Sequence, residues 1–236
     1  MSYFDIHTHI IPGIDDGSTD EETTFQMLKM SYDSGVRDII LTSHYNEMRN
    51  QTANVREYID EVQNIASKVA DDLKVYSGNE IFYTNNSKKL LQEKKIATLA
   101  NSKYVLIEFY YDVSFKEVEN AVNQLLMGGY WPIIAHIERF KCLHEKGAVE
   151  HITSMGAYLQ MNAGYIASAK FKEMRFINRL IKENLISFIG SDCHNTMSRK
   201  PNIDECVKVL NKKYSSDLVQ KLLIDNPQKI IKNERL

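Results

Sequence analysis

The sequence predicts an α/β fold, a single closed or nearly closed TIM-like barrel, and three observations carry the prediction. Short β-rich runs alternate with longer helical patterns along all 236 residues, with almost no Pro-, Gly- or Ser-rich linker between them. Seven such runs recur at about the repeat length of a barrel in which ~250 residues supply eight strand–helix units. Two of the runs, Ile39-Ile40-Leu41 and Val105-Leu106-Ile107, are apolar at consecutive positions, as strands covered on both faces of a parallel sheet must be. A doubly wound open sheet shares the alternation. The barrel is preferred partly for the chemistry at its strand ends.

Taken in order, strands are expected over residues 3–6, 38–42, 75–77, 104–107, 133–135, 158–161 and 186–189. Helix ends lie between them. Ser18-x-x-Glu21 has the form of a capping box opening the first helix, with Gly35 just past its C-terminus. Ser114-x-x-Glu117 is a second box, its helix ending near Gly128-Gly129. Asn226 before Pro227 reads as an N-cap with proline in the first helical position. With no linker to divide it, the chain is expected to form one domain over residues 1–236.

Composition narrows the function. Lys and Arg number 29 against 31 Asp and Glu, a net charge of −2, which makes no electrostatic case for nucleic acid or an anionic membrane as partner. At 43% hydrophobic and 25% charged residues, disordered and fibrous classes are excluded. The first residues form neither a basic n-region nor an apolar h-region, and no apolar run approaches ~18 residues. A soluble cytoplasmic protein without membrane insertion is expected. Cys142, Cys193 and Cys206 form no CxxC pair, which argues against a disulfide framework or a thiolate zinc site.

The informative pattern is where His and acidic residues fall. His7 and His9 end the first strand and His44 the second; Glu80 follows the third, Glu108 the fourth, His136 the fifth, and Asp192 with His194 the seventh. His144 and His151 fall in a helical stretch instead. In a parallel α/β fold the strand-end positions converge on the C-terminal rim, where the βα loops build sites. Residues i and i+2 of an extended segment share a face, so His7 with His9, and Asp192 with His194, can each address one metal. Adding Asp16 from the loop after the first strand gives five His and four carboxylates. That is more than one divalent ion can use and points to two or three ions with a bridging carboxylate. A nitrogen and oxygen set without thiolate suits Mn, Fe or Zn, and the carboxylates tilt it toward Mn or Fe. Without metal, burying such a cluster would carry a severe desolvation cost.

Arg139 lies three residues past His136 and Arg199 five past His194. Beside a cationic cluster a guanidinium makes sense if an anion lies between, and its fork suits phosphate or carboxylate. A phosphoester substrate follows, since metal clusters cleave such esters by generating hydroxide from bound water and clamping the attacking and leaving oxygens.

Asp5-Ile6-His7-Thr8-His9, Asp15-Asp16-Gly17, Thr42-Ser43-His44, Gly78-Asn79-Glu80-Ile81, Leu106-Ile107-Glu108-Phe109, Ile134-Ala135-His136-Ile137-Glu138-Arg139 and Gly190-Ser191-Asp192-Cys193-His194-Asn195 resemble the polymerase-and-histidinol-phosphatase (PHP) family. Within it they are most similar to the bacterial manganese-dependent protein-tyrosine phosphatases of capsule and exopolysaccharide systems. The resemblance runs through nearly the whole chain, to Ile224-Asp225-Asn226-Pro227. It implies a PHP-type distorted (β/α)7 barrel and three metal ions, manganese first, with iron or zinc as alternatives. His7, His9, Glu80 and Asp192 would hold one ion, Glu80, Glu108 and His136 a second, and Asp16, His44 and His194 the third. Arg139 and Arg199 would hold the phosphoryl oxygens as catalytic residues. The implied substrate is the phosphotyrosine-bearing C-terminal tail of a bacterial tyrosine kinase that controls polysaccharide export. Choosing Asp16 over Asp15 rests on the family pattern alone. Tyr45, Tyr83, Tyr110 and Tyr111 are either flanks for a phenyl ring or ordinary rim tyrosines.

Cys193 and Arg199 also spell the C-x5-R string of cysteine-dependent tyrosine phosphatases. That chemistry needs a phosphate-cradling loop and a thiolate of lowered pKa, whereas His194 to Ser198 holds no glycine and Asp192 would raise the thiol pKa. With Asp192 and His194 on one face, Cys193 is expected to point into packing. Other readings are a PHP phosphoesterase acting on a small phosphomonoester such as histidinol phosphate, and a metal-containing protein that regulates its kinase by binding. An amidohydrolase would want a strand-end Lys, and none is found.

Overall fold

The computed structural model describes residues 2–236. Its strands are β1 (Tyr3–Thr8), β2 (Val36–Leu41), β3 (His44–Tyr45), β4 (Lys74–Ser77), β5 (Glu80–Phe82), β6 (Tyr104–Glu108), β7 (Trp131–Ile134), β8 (Tyr158–Asn162) and β9 (Phe188–Gly190). They pair in parallel in the orders β1-β2-β4 and β3-β5-β6-β7-β8-β9. The parallel sheet curls until its last strand meets its first: the Asp192 N–H donates to the His7 carbonyl at 2.8 Å and the His9 N–H to the Cys193 carbonyl at 2.9 Å.

Two of the expected strands are each followed by a second short strand after a two-residue break. At the first break Thr42 turns its hydroxyl back on Thr8, accepting the Thr8 N–H at 2.9 Å. At the second, the Asn79 side chain donates to the Ser43 carbonyl at 2.9 Å and accepts the Ala97 N–H at 2.8 Å. Side chains thus take the backbone groups the broken ladder releases. Gly78 precedes Asn79 because a Cβ there would stand 2.7 Å from Leu99 Cδ2.

The consecutive apolar runs are buried on both faces, as expected. Ile40 and Leu106 join Phe4, Ile6, Tyr104 and Phe188 in one cluster. Their neighbours Ile39, Leu41, Val105 and Ile107 face the other way, in the cluster that the helices cover. Each such side chain contributes roughly 1.5–3 kcal/mol on full burial.

The helices are α1 (Glu21–Asp33), α2 (Ile59–Val69), α3 (Ser87–Gln92), α4 (Phe115–Met127), α5 (Ala148–Met155), α6 (Ala163–Ser168), α7 (Phe171–Lys182), α8 (Ile203–Lys213), α9 (Ser216–Gln220) and α10 (Asn226–Lys232). Helix α4 packs through Val118, Ala121, Val122 and Leu125 at helical spacing, and its Ser114–Glu117 capping box forms as expected. Gly35, at φ 89°, follows the α1 C-cap Ser34. The box expected at Ser18 does not form. Asp20 is the N-cap, accepting the Thr23 N–H at 2.8 Å, while the buried Ser18 hydroxyl bonds Thr24 at 2.8 Å. Asn226 is not an N-cap either: it is the first residue of α10, its backbone already helical and continuing a π turn over Lys221–Asp225, and its side chain donates to the Ser187 carbonyl at 2.7 Å. The wider turn precedes Pro227, which lacks the N–H an unbroken α ladder needs. Among the described residues no helix is long and apolar enough to cross a membrane.

Candidate metal centre

Every predicted donor but Asp16 arrives at the C-terminal edge of the curled sheet because it sits at or just past a strand end. His7, His9, Glu80, His136, Asp192 and His194 are buried, His44 and Glu108 partly so, and Asp16 reaches in from the exposed loop after β1. Glu80 is central. Its Oε2 lies 3.1 Å from His7 Nε2, 3.2 Å from His9 Nε2 and 3.2 Å from His44 Nδ1, and its Oε1 lies 2.6 Å from His136 Nε2. Asp192 Oδ1 stands 3.6 Å from His7 Nε2 and 3.5 Å from His9 Nε2. Glu108 reaches His44 at 3.3 Å and His136 at 3.7 Å, and Asp16 reaches His44 at 3.2 Å and His194 at 3.6 Å.

Three groups of donor atoms, each within 4.8 Å of one another, could hold an ion: His7, His9, Glu80 and Asp192; His44, Glu80 and Glu108; and His9, Asp16, His44 and His194. The first is the set expected from sequence. The others differ in that His44 stands with Glu80 and Glu108 where His136 was expected, and His9 joins the outer group.

The electrostatics explain how so many charges share one buried place. Burial opposes ionisation of Glu80, but the His7, His44 and His136 imidazoles hold its carboxyl well below the usual range. In return, despite burial, hydrogen bonds to Asp15 and Glu80 lift His9 to about 9. His44, also working against burial, is lifted to about 11 by the charge of Glu80 and its bond to Asp16. His194 goes the other way, to about 3, pushed down by burial and by His9. Close carboxylates thus keep protons on His9 and His44, as a cation-seeking cluster does. His136 Nδ1 and His194 Nε2 are buried with no hydrogen-bond partner. Unsatisfied imidazole nitrogens beside clustered carboxylate oxygens fit a divalent first-row ion.

Several supporting residues were given no such role in the sequence reading, which weighed Asp15 only as the alternative to Asp16. Gln160 Oε1 accepts the His136 N–H at 2.7 Å and lies 3.2 Å from His7 Nδ1. Its amide donates to Asn162 at 2.9 Å, and Asn162 donates to Asp192 at 2.8 Å. Asp15 lies behind Asp16, 2.9 Å from His9 Nδ1 and accepting the His44 N–H at 3.0 Å. Asp5 accepts the Ser191 N–H at 2.9 Å, and burial raises its pKa to about 6. The available signal was polarity inside otherwise apolar strands, at Asp5 and at Gln160.

Both arginines approach Asp192 from the open side, Arg139 at 2.5 Å and Arg199 at 2.9 Å. They line a cavity of about 320 Å³ with Glu138, Asn162, Tyr111 and Tyr165. Cys193 is buried, and burial, then Asp5, pushes its thiol pKa up, so it makes no thiolate for a C-x5-R mechanism. His144 stacks on Phe176, and His151 pairs with Glu119 at 2.8 Å on the surface, both outside the centre. Tyr45 is buried; Tyr111 lines the arginine cavity, and Tyr83 and Tyr110 line a second groove.

Residues 3–232 match the family model described as capsular polysaccharide synthesis, CpsB/CapC. The chain is 35% identical over 239 residues to the tyrosine-protein phosphatase CpsB of Streptococcus pneumoniae, with 98% of each chain covered. A solved chain from YwqE of Bacillus subtilis and CpsB of Streptococcus pneumoniae, described as unique metal-dependent tyrosine phosphatases, superposes with a TM-score of 0.90 at 32% identity, covering 99% of this chain and 96% of that one. The phosphotriesterase homology protein of Escherichia coli superposes at 0.64 with 12% identity over 98% of both chains, a likeness of fold alone, among TIM-barrel-like hydrolases. Matched almost end to end in sequence and in backbone, the chain belongs to the CpsB/CapC family of capsular polysaccharide synthesis.

Proposed function

We propose that this chain is a metal-dependent protein-tyrosine phosphatase acting on the phosphorylated C-terminal tail of a bacterial tyrosine kinase in capsule or exopolysaccharide synthesis. The observation that carries the reading is the meeting of three overlapping donor groups, linked through Glu80, His9 and His44, at one end of the sheet, with two guanidiniums on Asp192 from the open side. In this reading residues 1–236 work as one cytoplasmic domain, and the free state of all three cysteines suits that compartment. The barrel is of the distorted PHP type: β2 with β3 and β4 with β5 each count as one interrupted strand, leaving seven units around the curl.

Three manganese ions fit the donor set, with iron or zinc as alternatives. His7, His9, Glu80 and Asp192 hold one, Glu80 and Glu108 with His44 or His136 a second, and Asp16, His44 and His194 the third. Such ions, when bound, acidify a water and neutralise charge on phosphoryl oxygens. The protein does the positioning. Asp15 fixes the His9 ring so that Nε2 faces Glu80, and Gln160 holds the His7 ring at Nδ1, as the outer partners of metal-binding imidazoles do, while it also accepts the His136 backbone N–H. Arg139 and Arg199, about a third exposed, hold the phosphoryl oxygens in line from the open side. The buried floor keeps bulk water out and strengthens each of these interactions.

The test is phosphate release from a phosphotyrosyl peptide by purified protein in Mn²⁺, with and without chelator and with Cys193→Ser alongside. Chelator-sensitive turnover that survives the cysteine change is expected. Turnover confined to a small phosphomonoester would replace the substrate, and stoichiometric metal with no turnover would leave a kinase-binding role.

A further inference from the structure

Two cavities flank the metal centre, and they differ in their charged lining. One, over β7 to β9, holds Arg139 and Arg199 together with Glu138 and Asp192. The other, a groove of about 620 Å³ over β5 and β6, is lined by Met48, Phe82, Tyr83, Tyr110, Asp112 and Glu117 among others, with no Lys or Arg. It starts where the centre ends: Phe82 pairs in register with Glu108, and Phe109 follows directly. Its wall is aromatic. The Tyr110 ring sits edge-on to Phe82 at 4.5 Å, and its hydroxyl lies 3.6 Å from Met48 Sδ. The two carboxylates have no basic partner among the described residues; Glu117 is engaged only by Ser114, at the α4 cap.

Exposed apolar side chains lie here too. Met48 and Tyr110 on this groove and Tyr111 on the arginine cavity are more than half exposed. Surface of this kind marks contact with a macromolecule rather than with a small ester. A phosphate or an acidic side chain would be repelled from the groove by Asp112 and Glu117. A cation would find both carboxylates and aromatic faces to lie against.

We infer that this groove seats a lysine or arginine side chain flanking the phosphotyrosine of a protein substrate, so that the arginine cavity reads the phosphoryl group and the groove reads basic sequence beside it. The inference rests on the phosphotyrosine reading above. Substrate is then oriented across the centre by opposite charges at its two ends.

The experiment compares three phosphotyrosyl peptides, identical but for Lys, Ala or Glu at the two positions on each side of the tyrosine, at low and high salt with Mn²⁺. The expected order of kcat/KM is Lys above Ala above Glu, with about fivefold between Lys and Ala, shrinking as salt rises. The Lys-to-Glu ratio should fall toward one in D112N/E117Q, which keeps the helix cap because Gln also serves there, and invert in D112K/E117Q. Equal kcat/KM for all three peptides, or a preference unchanged in D112N/E117Q, overturns the inference while leaving the phosphatase standing. Absence of turnover on every peptide overturns both.

Discussion

The two ends of the same strands are both largely buried and chemically opposite. Toward one end the interior is filled by Phe4, Ile6, Tyr104, Leu106 and Phe188. A residue or two further along it is filled by His7, His9, Glu80, Glu108 and Asp192. The apolar layer satisfies itself, each side chain supplying its neighbours' contacts. The polar layer does not: its carboxylates keep imidazoles protonated, and it leaves His136 Nδ1 and His194 Nε2 without hydrogen-bond partners. One end therefore sets the stability of the curl, and the other draws on it to hold a charged cluster in place.

The sharpest way to break this contrast is Glu80→Gln. It keeps shape but removes the charge facing four imidazoles, so turnover should fall by at least about 10³-fold with loss of bound metal, read by kinetics and metal analysis. Adding His7→Ala should cost little more, since both feed one centre. In the apolar layer Leu106→Ala should do the reverse, lowering unfolding stability by about 2–5 kcal/mol in urea while sparing turnover of the folded fraction. Gln160→Ala probes the seam between the layers, and its removal should weaken metal affinity about 10- to 100-fold in a competitive titration.

The charge imbalance gives a pH test. His9 and His44 are raised above the ordinary value of 6.5, to about 9 and about 11, so the stability they lend the metal-free protein is complete below pH 6.5 and lost as pH rises through 9 toward 11. Denaturant midpoints of chelated protein should fall over that window. Ion binding needs neutral imidazoles, so loading should release protons and tighten with rising pH, visible as a buffer-dependent heat in calorimetry. The smallest effect is expected at His151→Ala, which removes an exposed pair with Glu119 and should change stability by less than about 1 kcal/mol and activity not at all.

The donors were legible in sequence for a simple reason: strand ends in a parallel sheet share a rim, so residues far apart in the chain need only follow a strand to meet. Gln160 was not, since a lone polar residue in a strand has no pattern until its partners, His7 and His136, are placed around it. Asp20 rather than Ser18 caps α1 because Ser18 is buried against Thr24, a competition that only packing reveals.

Alternation of strand and helix, the apolar runs, and the residue types at each strand end were thus determined by sequence alone, through local periodicity. Which imidazole shares which carboxylate, that Asp15 backs His9 while Asp16 faces His44 and His194, and that one flanking cavity holds both arginines while the other holds no base were decided by the tertiary structure. These depend on distances of a few ångströms between segments up to 186 residues apart, such as Asp5 and Ser191, and such distances exist only once the sheet has curled.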